Sequence, residues 1–356
     1  MATLTTDAST IALMNKISSE VNRYLTLFVF VFGISGNLLS ILILSQRTLR
    51  SNPCVIYFLA SSISSLGILL VGLPSRLIAG WISTDPTNTN AALCKARIFL
   101  LYGFRTTTAW LIVFATIDRW LSSSLKITRR RLSSCKTAYR CLITVTFLSF
   151  LLWIQSIYCY NTNLPEAPLR CYGNSYVCRV FNDLTYAIST VMIPSVWMLV
   201  FGLLTIHNIN RSRRAIEPFV ATIIRIDPSN RKQRRPQRRN QSSLTRMLLL
   251  QVIFLTVCSL PQAIHQIYLT LTVLVVKSPL RLAVENFIVN FDFSLTYVGN
   301  ASPFYIYTLT GTMFRQTLVQ LIRVTVRRLY LYLCDIFADL TNFLCTIFPR
   351  LLAPRA

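Results

Sequence analysis

Seven mostly apolar stretches follow one another along this chain, and they leave it few ways to fold. A bilayer core of about 30 Å is crossed by roughly 20 apolar residues in a helix. The stretches fall at roughly 24–45, 53–77, 92–122, 138–160, 181–207, 243–273 and 282–309, so each is long enough. Charged residues make up 13% of the chain, about half of what soluble domains carry. The expected fold is an all-α membrane protein, a seven-transmembrane helix bundle with a C-terminal amphipathic helix. It divides into an N-terminal tail (1–23), a seven-helix domain (24–309) and a cytoplasmic helix and tail (310–356).

The net charge of +24 would suggest nucleic acid as partner in a soluble protein. Its distribution argues against that. The segments 46–52, 119–140, 207–246 and 312–356 hold 26 of the 36 lysines and arginines. Basic residues gather on the cytoplasmic side of membrane proteins, which places the N-terminus outside and the chain in the plasma membrane. The run Arg231–Arg239 lies between two spans, so membrane topology, anionic lipids of the inner leaflet and a partner protein explain it better than nuclear targeting does.

Pro194, Pro261 and Pro303 fall inside the last three spans. Neighbouring helices re-satisfy the backbone groups that such prolines free, and the kinks can act as pivots. Past 312, Leu318, Leu321 and Ile322 alternate with Arg315, Arg327 and Arg328, the pattern of a helix lying on a membrane surface. Residues 329–348 are apolar, but Asp335 and Asp339 argue against an eighth span. Cys334 and Cys345 are open to palmitoylation or to remaining free thiols.

In the third stretch Cys94 precedes Asp118-Arg119-Trp120 by about seven turns. This resembles the rhodopsin-like (class A) G-protein-coupled receptors, which carry a disulfide cysteine at the top of that helix and Asp-Arg-Tyr at its base. Gly36-Asn37, Trp153, Pro194, Cys258-Ser259-Leu260-Pro261, Asn300-Ala301-Ser302-Pro303 with Tyr307, and Phe314-Arg315 match further family positions in order. The resemblance implies a receptor with no enzymatic activity. It implies that Asp118, Arg119 and Trp120 engage a heterotrimeric G protein, and that Asn37, Pro194, Pro261, Pro303 and Tyr307 are conformational pivots. It also implies a bridge from Cys94 to the second outer loop, through Cys171 in preference to Cys178.

Several family residues are absent. The helix 2 segment Leu59-Ala60-Ser61-Ser62-Ile63-Ser64 lacks the usual Asp, so sodium-dependent control is not expected. Ser259 replaces the helix 6 tryptophan, Gly202 the helix 5 tyrosine, and Ser302 stands where Asn precedes the proline. Residues 240–246 offer no acid to hold Arg119, which points to a weakly held resting state.

For a ligand, Arg105 stands out. It lies eleven residues below Cys94, or roughly 16 Å along a helix, where a charge must face the bundle interior. A carboxylate such as a peptide C-terminus would complement it. Asp292 is either its partner or a separate site for a cationic group. Gln262, His265 and Gln266 lie one turn beyond Pro261, and Tyr102 and Tyr297 are wall candidates or packing residues. Leu101 stands where monoamine receptors carry Asp, and the last stretch has no lysine for a retinal Schiff base. A neuropeptide or small-molecule ligand follows as the expectation, with a transporter or photoreceptor-like protein as the alternative. No nucleophile or metal-ligand constellation appears, so neither metal nor cofactor is expected.

Overall fold

In the computed structural model of this protein each apolar stretch forms a helix. The structure describes the chain except residues 1, 83–85, 163–170, 227–229, 273–274, 329 and 331–356, and gives the backbone alone for 2–7, 86, 172 and 213–242. The long helices are α1 (Ala2–Leu44), α2 (Pro53–Ile82), α3 (Ala91–Ser123), α4 (Cys135–Leu152), α5 (Tyr176–Thr185, Tyr186–Met192 and Ile193–Ile226), α6 (Asn230–Leu271) and α7 (Pro279–Ala301 and Pro303–Thr310). Six are long and apolar enough to cross a membrane. The seventh, α7, is more polar because it carries Arg281, Glu285, Asn290 and Asp292, yet it packs between α1 and α6. The helix α1 extends back through the polar residues before 24 to Ala2.

The bundle interior is rich in small and hydroxyl side chains, which let membrane helices approach closely. Asn37, Ser61, Ser62, Ser65, Thr106 and Thr107 are all buried. Large apolar side chains such as Phe28, Val31, Phe147, Val196 and Leu203 point outward, as a lipid solvent requires. Close approach fixes Gly72 and Gly103 among other glycines: a Cβ on Gly72 would run into the Tyr297 hydroxyl, and one on Gly103 would stand 2.6 Å from the Phe150 ring.

At Pro194 and Pro303 other groups satisfy the carbonyls that the prolines free. In α5 the stretch Tyr186–Met192 widens to π-helical bonding, with the Ile193 N–H reaching back to the Ile188 carbonyl. The matching partner of the Ser189 carbonyl would be the nitrogen of Pro194, which has no hydrogen. The Trp110 indole N–H donates to that carbonyl instead, at 3.0 Å. In α7 the helix breaks at Ser302, where the sequence pattern suggests continuity through Pro303. Pro303 cannot donate to the Gly299 carbonyl, and the Ser302 hydroxyl does so at 2.8 Å. The Asn37 amide, from α1, donates to the Asn300 carbonyl next to the break at 3.1 Å.

Two disulfides staple one end of the bundle. Cys94 pairs with Cys171, as the resemblance implies, and Cys178 pairs with Cys159 at the end of the short helix Ser156–Cys159 that follows α4. Between them Tyr160–Asn161 and Tyr172–Gly173 form a two-stranded antiparallel ribbon, Tyr160 opposite Gly173. The opposite end carries Arg119 and the arginines of Ile127–Leu132. A second unit begins at Thr312 and contains a helix over 312–328. Cys334, Asp335, Asp339 and Cys345 lie outside the described residues.

Candidate functional site

The candidate ligand residues divide into three groups. Arg105 of α3 is 4% exposed and holds the first group together. Its Nη1 donates to Gln262 Oε1 at 3.2 Å. The same oxygen accepts from the Tyr186 hydroxyl at 3.1 Å and the Thr296 hydroxyl at 2.7 Å, so one carbonyl ties α3, α5, α6 and α7. The guanidinium lies 5.1 Å from the Tyr297 ring centre, 5.9 Å from Phe293 and 6.0 Å from Tyr186, a cation–π cage. Arg105 Nε and Nη2 and Gln262 Nε2 are buried without a hydrogen-bond partner. Donors left bare in this way are costly, and an anion would satisfy them. A cavity of about 30 Å³ beside them, lined by Arg105, Tyr186, Ser259, Thr296 and Asn300 among others, has room for a water or two.

Asp292 does not reach Arg105. It faces His265, with Nδ1 and Oδ2 3.0 Å apart. Gln266 donates to Asp183 of α5 at 2.6 Å, and the Thr270 hydroxyl donates to the same carboxylate at 2.7 Å. Tyr102 stacks on Trp153, ring centres 4.5 Å apart, inside a packed cluster with Tyr186. Beside His265 and Asp292 a groove of about 780 Å³ runs between α6 and α7, past Tyr268 and Glu285. Glu285 is held there by Lys277 at 2.5 Å and Arg281 at 3.0 Å.

Tyr186, Phe293 and Thr296 belong to the Arg105 cage and were not among the expected residues. Phe293 and Thr296 were legible in principle, because helical spacing puts them on the face shared by Asp292 and Tyr297. Tyr186 was not: the π-helical stretch that begins with it shifts the phase of α5.

At the other end Asp118 and Arg119 are both buried, 5% and 4% exposed. Arg119 Nη2 donates to Asp118 Oδ2 at 2.7 Å and to Asn52 Oδ1 at 2.9 Å. Asp118 Oδ1 accepts from the Ser133 hydroxyl at 2.6 Å. Arg119 is thus held by Asp118 and by Asn52 of the loop before α2, and Ser133 of the α3–α4 connection holds Asp118. Trp120 packs on Phe201 at 5.2 Å and takes Arg129 over its ring at 5.1 Å. The Tyr307 hydroxyl donates to Gln251 Oε1 at 2.6 Å and closes α7 onto α6.

The chain matches the model of the 7 transmembrane receptor (rhodopsin family) over residues 36–300. The chain belongs to that family. Its relatives include neuromedin-U receptor 1 of Mus musculus, 24% identical over 83% of this chain and 71% of that protein. They also include the neuromedin U receptor homolog nmur-2 of Caenorhabditis elegans, 20% identical over 46% of this chain and 40% of that receptor. Olfactory receptor 1B1 of Homo sapiens is 29% identical over 30% of this chain and a third (33%) of its own. This receptor is a multi-pass membrane protein without enzymatic activity. In its core the Ser65 hydroxyl donates to Asn300 Oδ1 at 3.5 Å.

Proposed function

We propose that this receptor binds an extracellular peptide and activates a heterotrimeric G protein. In this reading the disulfide end faces outward and the arginine-rich end faces the cytoplasm. The charge distribution supports that orientation. The ligand reading is carried by Arg105, a buried cation whose Nε and Nη2 have no acceptor. An anionic ligand group, such as a peptide C-terminal carboxylate, would take both and would draw the Gln262 amide with it. The names of the two neuromedin U receptor relatives favour a neuropeptide over a lipid or a small acid.

The coupling site is Asp118, Arg119 and Trp120. An arginine held by a neighbouring carboxylate in one state can turn to a partner in another. Asn37, Pro194, Pro261, Pro303 and Tyr307 are the pivots between the two ends; Pro194 follows the π-helical stretch, Pro303 follows the break at Ser302, and Asn37 and Tyr307 make cross-helix bonds. The helix over 312–328 lies on the inner leaflet, and the basic run 231–239 meets its anionic lipids. A photoreceptor reading is disfavoured by the absence of lysine from α7.

A library of peptides in carboxyl-terminal and carboxamide forms, screened for nucleotide exchange on a panel of G proteins, tests the proposal. The expected outcome is one peptide family that activates the wild type and loses potency at Arg105→Gln. Activation indifferent to that substitution would count against Arg105 as the anchor.

A further inference from the structure

The connection between α3 and α4 carries three arginines, Arg129, Arg130 and Arg131, directly before Leu132-Ser133. Ser133 is not a bystander there. Its hydroxyl donates to Asp118 Oδ1 at 2.6 Å, and Asp118 in turn holds Arg119. We propose that Ser133 is a phosphorylation site, recognised by a protein kinase that selects arginines on the N-terminal side of its target, and that phosphate there undocks the connection from the base of α3. The proposal rests on the reading that this end faces the cytoplasm, where nucleoside triphosphates are available.

The local structure permits the reaction. The helix Ile127–Leu132 has no buried residue, and a helix of one or two turns has little stability of its own. It can open into the extended form a kinase cleft takes. Ser133 Oγ then attacks the terminal phosphorus of the nucleoside triphosphate. The bond from that phosphorus to the diphosphate breaks, the diphosphate leaves with the electron pair, and the hydroxyl proton passes to the kinase's base.

The consequence follows from charge. The modified side chain has lost its donor hydrogen and carries about −1.5 to −2 charges beside the buried Asp118 carboxylate. Two anions at hydrogen-bond distance in a poorly hydrated site repel. The phosphate has a better partner in the guanidinium groups of Arg129, Arg130 and Arg131, which form charge-assisted bonds with its oxygens. Ser133 therefore leaves Asp118. Cys135, two residues further on, reports the movement. Its thiol contacts the Ser51 carbonyl at 3.4 Å and the Arg50 carbonyl at 3.8 Å, and both contacts depend on the connection staying docked.

The test uses the full-length receptor in detergent micelles, where both ends are accessible, with an arginine-directed serine kinase and ATP. Mass spectrometry reads the modified residue and the maleimide labelling rate of Cys135. The expected result is phosphate on Ser133, its rate reduced several-fold by combined Arg130→Gln and Arg131→Gln, with Cys135 labelled several-fold faster once Ser133 is modified. Ser133→Ala should label fast without the kinase and show no further change with it. No phosphate on Ser133, or phosphate with unchanged Cys135 labelling, overturns the proposal. Nucleotide exchange on G proteins by the unmodified receptor is a separate arm. Its failure would count against the proposed function and leave the phosphate and labelling results to decide this one.

Discussion

Replacing Gln262 separates the structural role of the Arg105 cage from its role toward a ligand. The Gln262 carbonyl oxygen serves three donors, from Arg105, Tyr186 and Thr296. Gln262→Leu removes it. Thr296 keeps a bond to the Asp292 carbonyl at 3.0 Å, so two buried donors are stranded. Each costs about 1–3 kcal/mol, and losing the already unpartnered Gln262 Nε2 returns a similar amount. The net loss is therefore about 1–3 kcal/mol, a fall of a few degrees in the midpoint of thermal inactivation of the purified receptor. Gln262→Glu keeps the acceptor and adds a carboxylate 3.2 Å from Arg105 Nη1. It should hold or raise the midpoint while weakening any ligand that brings its own carboxylate. An unchanged midpoint in Gln262→Leu would refute the cage as a structural tie. Wild-type ligand affinity in Gln262→Glu would refute Arg105 as the anion anchor.

Other outcomes follow from the same geometry. Asn52→Ala removes the hydrogen bond that restrains Arg119 from the loop before α2, worth about 1.5–3 kcal/mol for a charged donor, and should raise ligand-free nucleotide exchange; an unchanged basal rate would show that Asp118 alone holds Arg119. Gly72→Ala drives a methyl group against Tyr297 and should lower thermal stability, whereas Gly80→Ala, whose added carbon would stand 3.6 Å from its nearest neighbour, should not. The polar core around Asn37, Ser65 and Asn300 contains no carboxylate among its hydrogen-bonding partners, so ligand affinity should be the same in sodium as in an equal concentration of a bulky cation.

Much of the fold could be read from the sequence because a bilayer imposes one dominant pattern, a long apolar helix. Six spans follow from it directly. The seventh was read as an apolar stretch like the others, although Arg281, Glu285 and Asp292 lower its hydropathy. Helix ends were less legible. The extension of α1 to Ala2 lies beyond the apolar stretch, and the break at Ser302 depends on a hydroxyl substituting for the missing proline N–H. The Cys159–Cys178 bridge was not foreseen, because disulfide connectivity depends on which helix ends meet in space. The site shows the same division. Arg105 was identifiable as a charge that must face inward, and Gln262 and Tyr297 were among the candidates, but Tyr186, Phe293 and Thr296 were not. Asp292 looked able to serve Arg105 or a separate cationic group, and the packing of α6 against α7 joins it to His265.

The central claim is that a ligand bound near Arg105 changes what Arg119 does at the opposite end. Guanine-nucleotide exchange on a heterotrimeric G protein, measured with the reconstituted receptor and an activating peptide, tests it most directly. The account predicts exchange that rises with peptide in the wild type, is lost in Arg119→Gln at intact peptide binding, and needs far more peptide in Arg105→Gln. Full peptide-driven exchange in Arg119→Gln would contradict it.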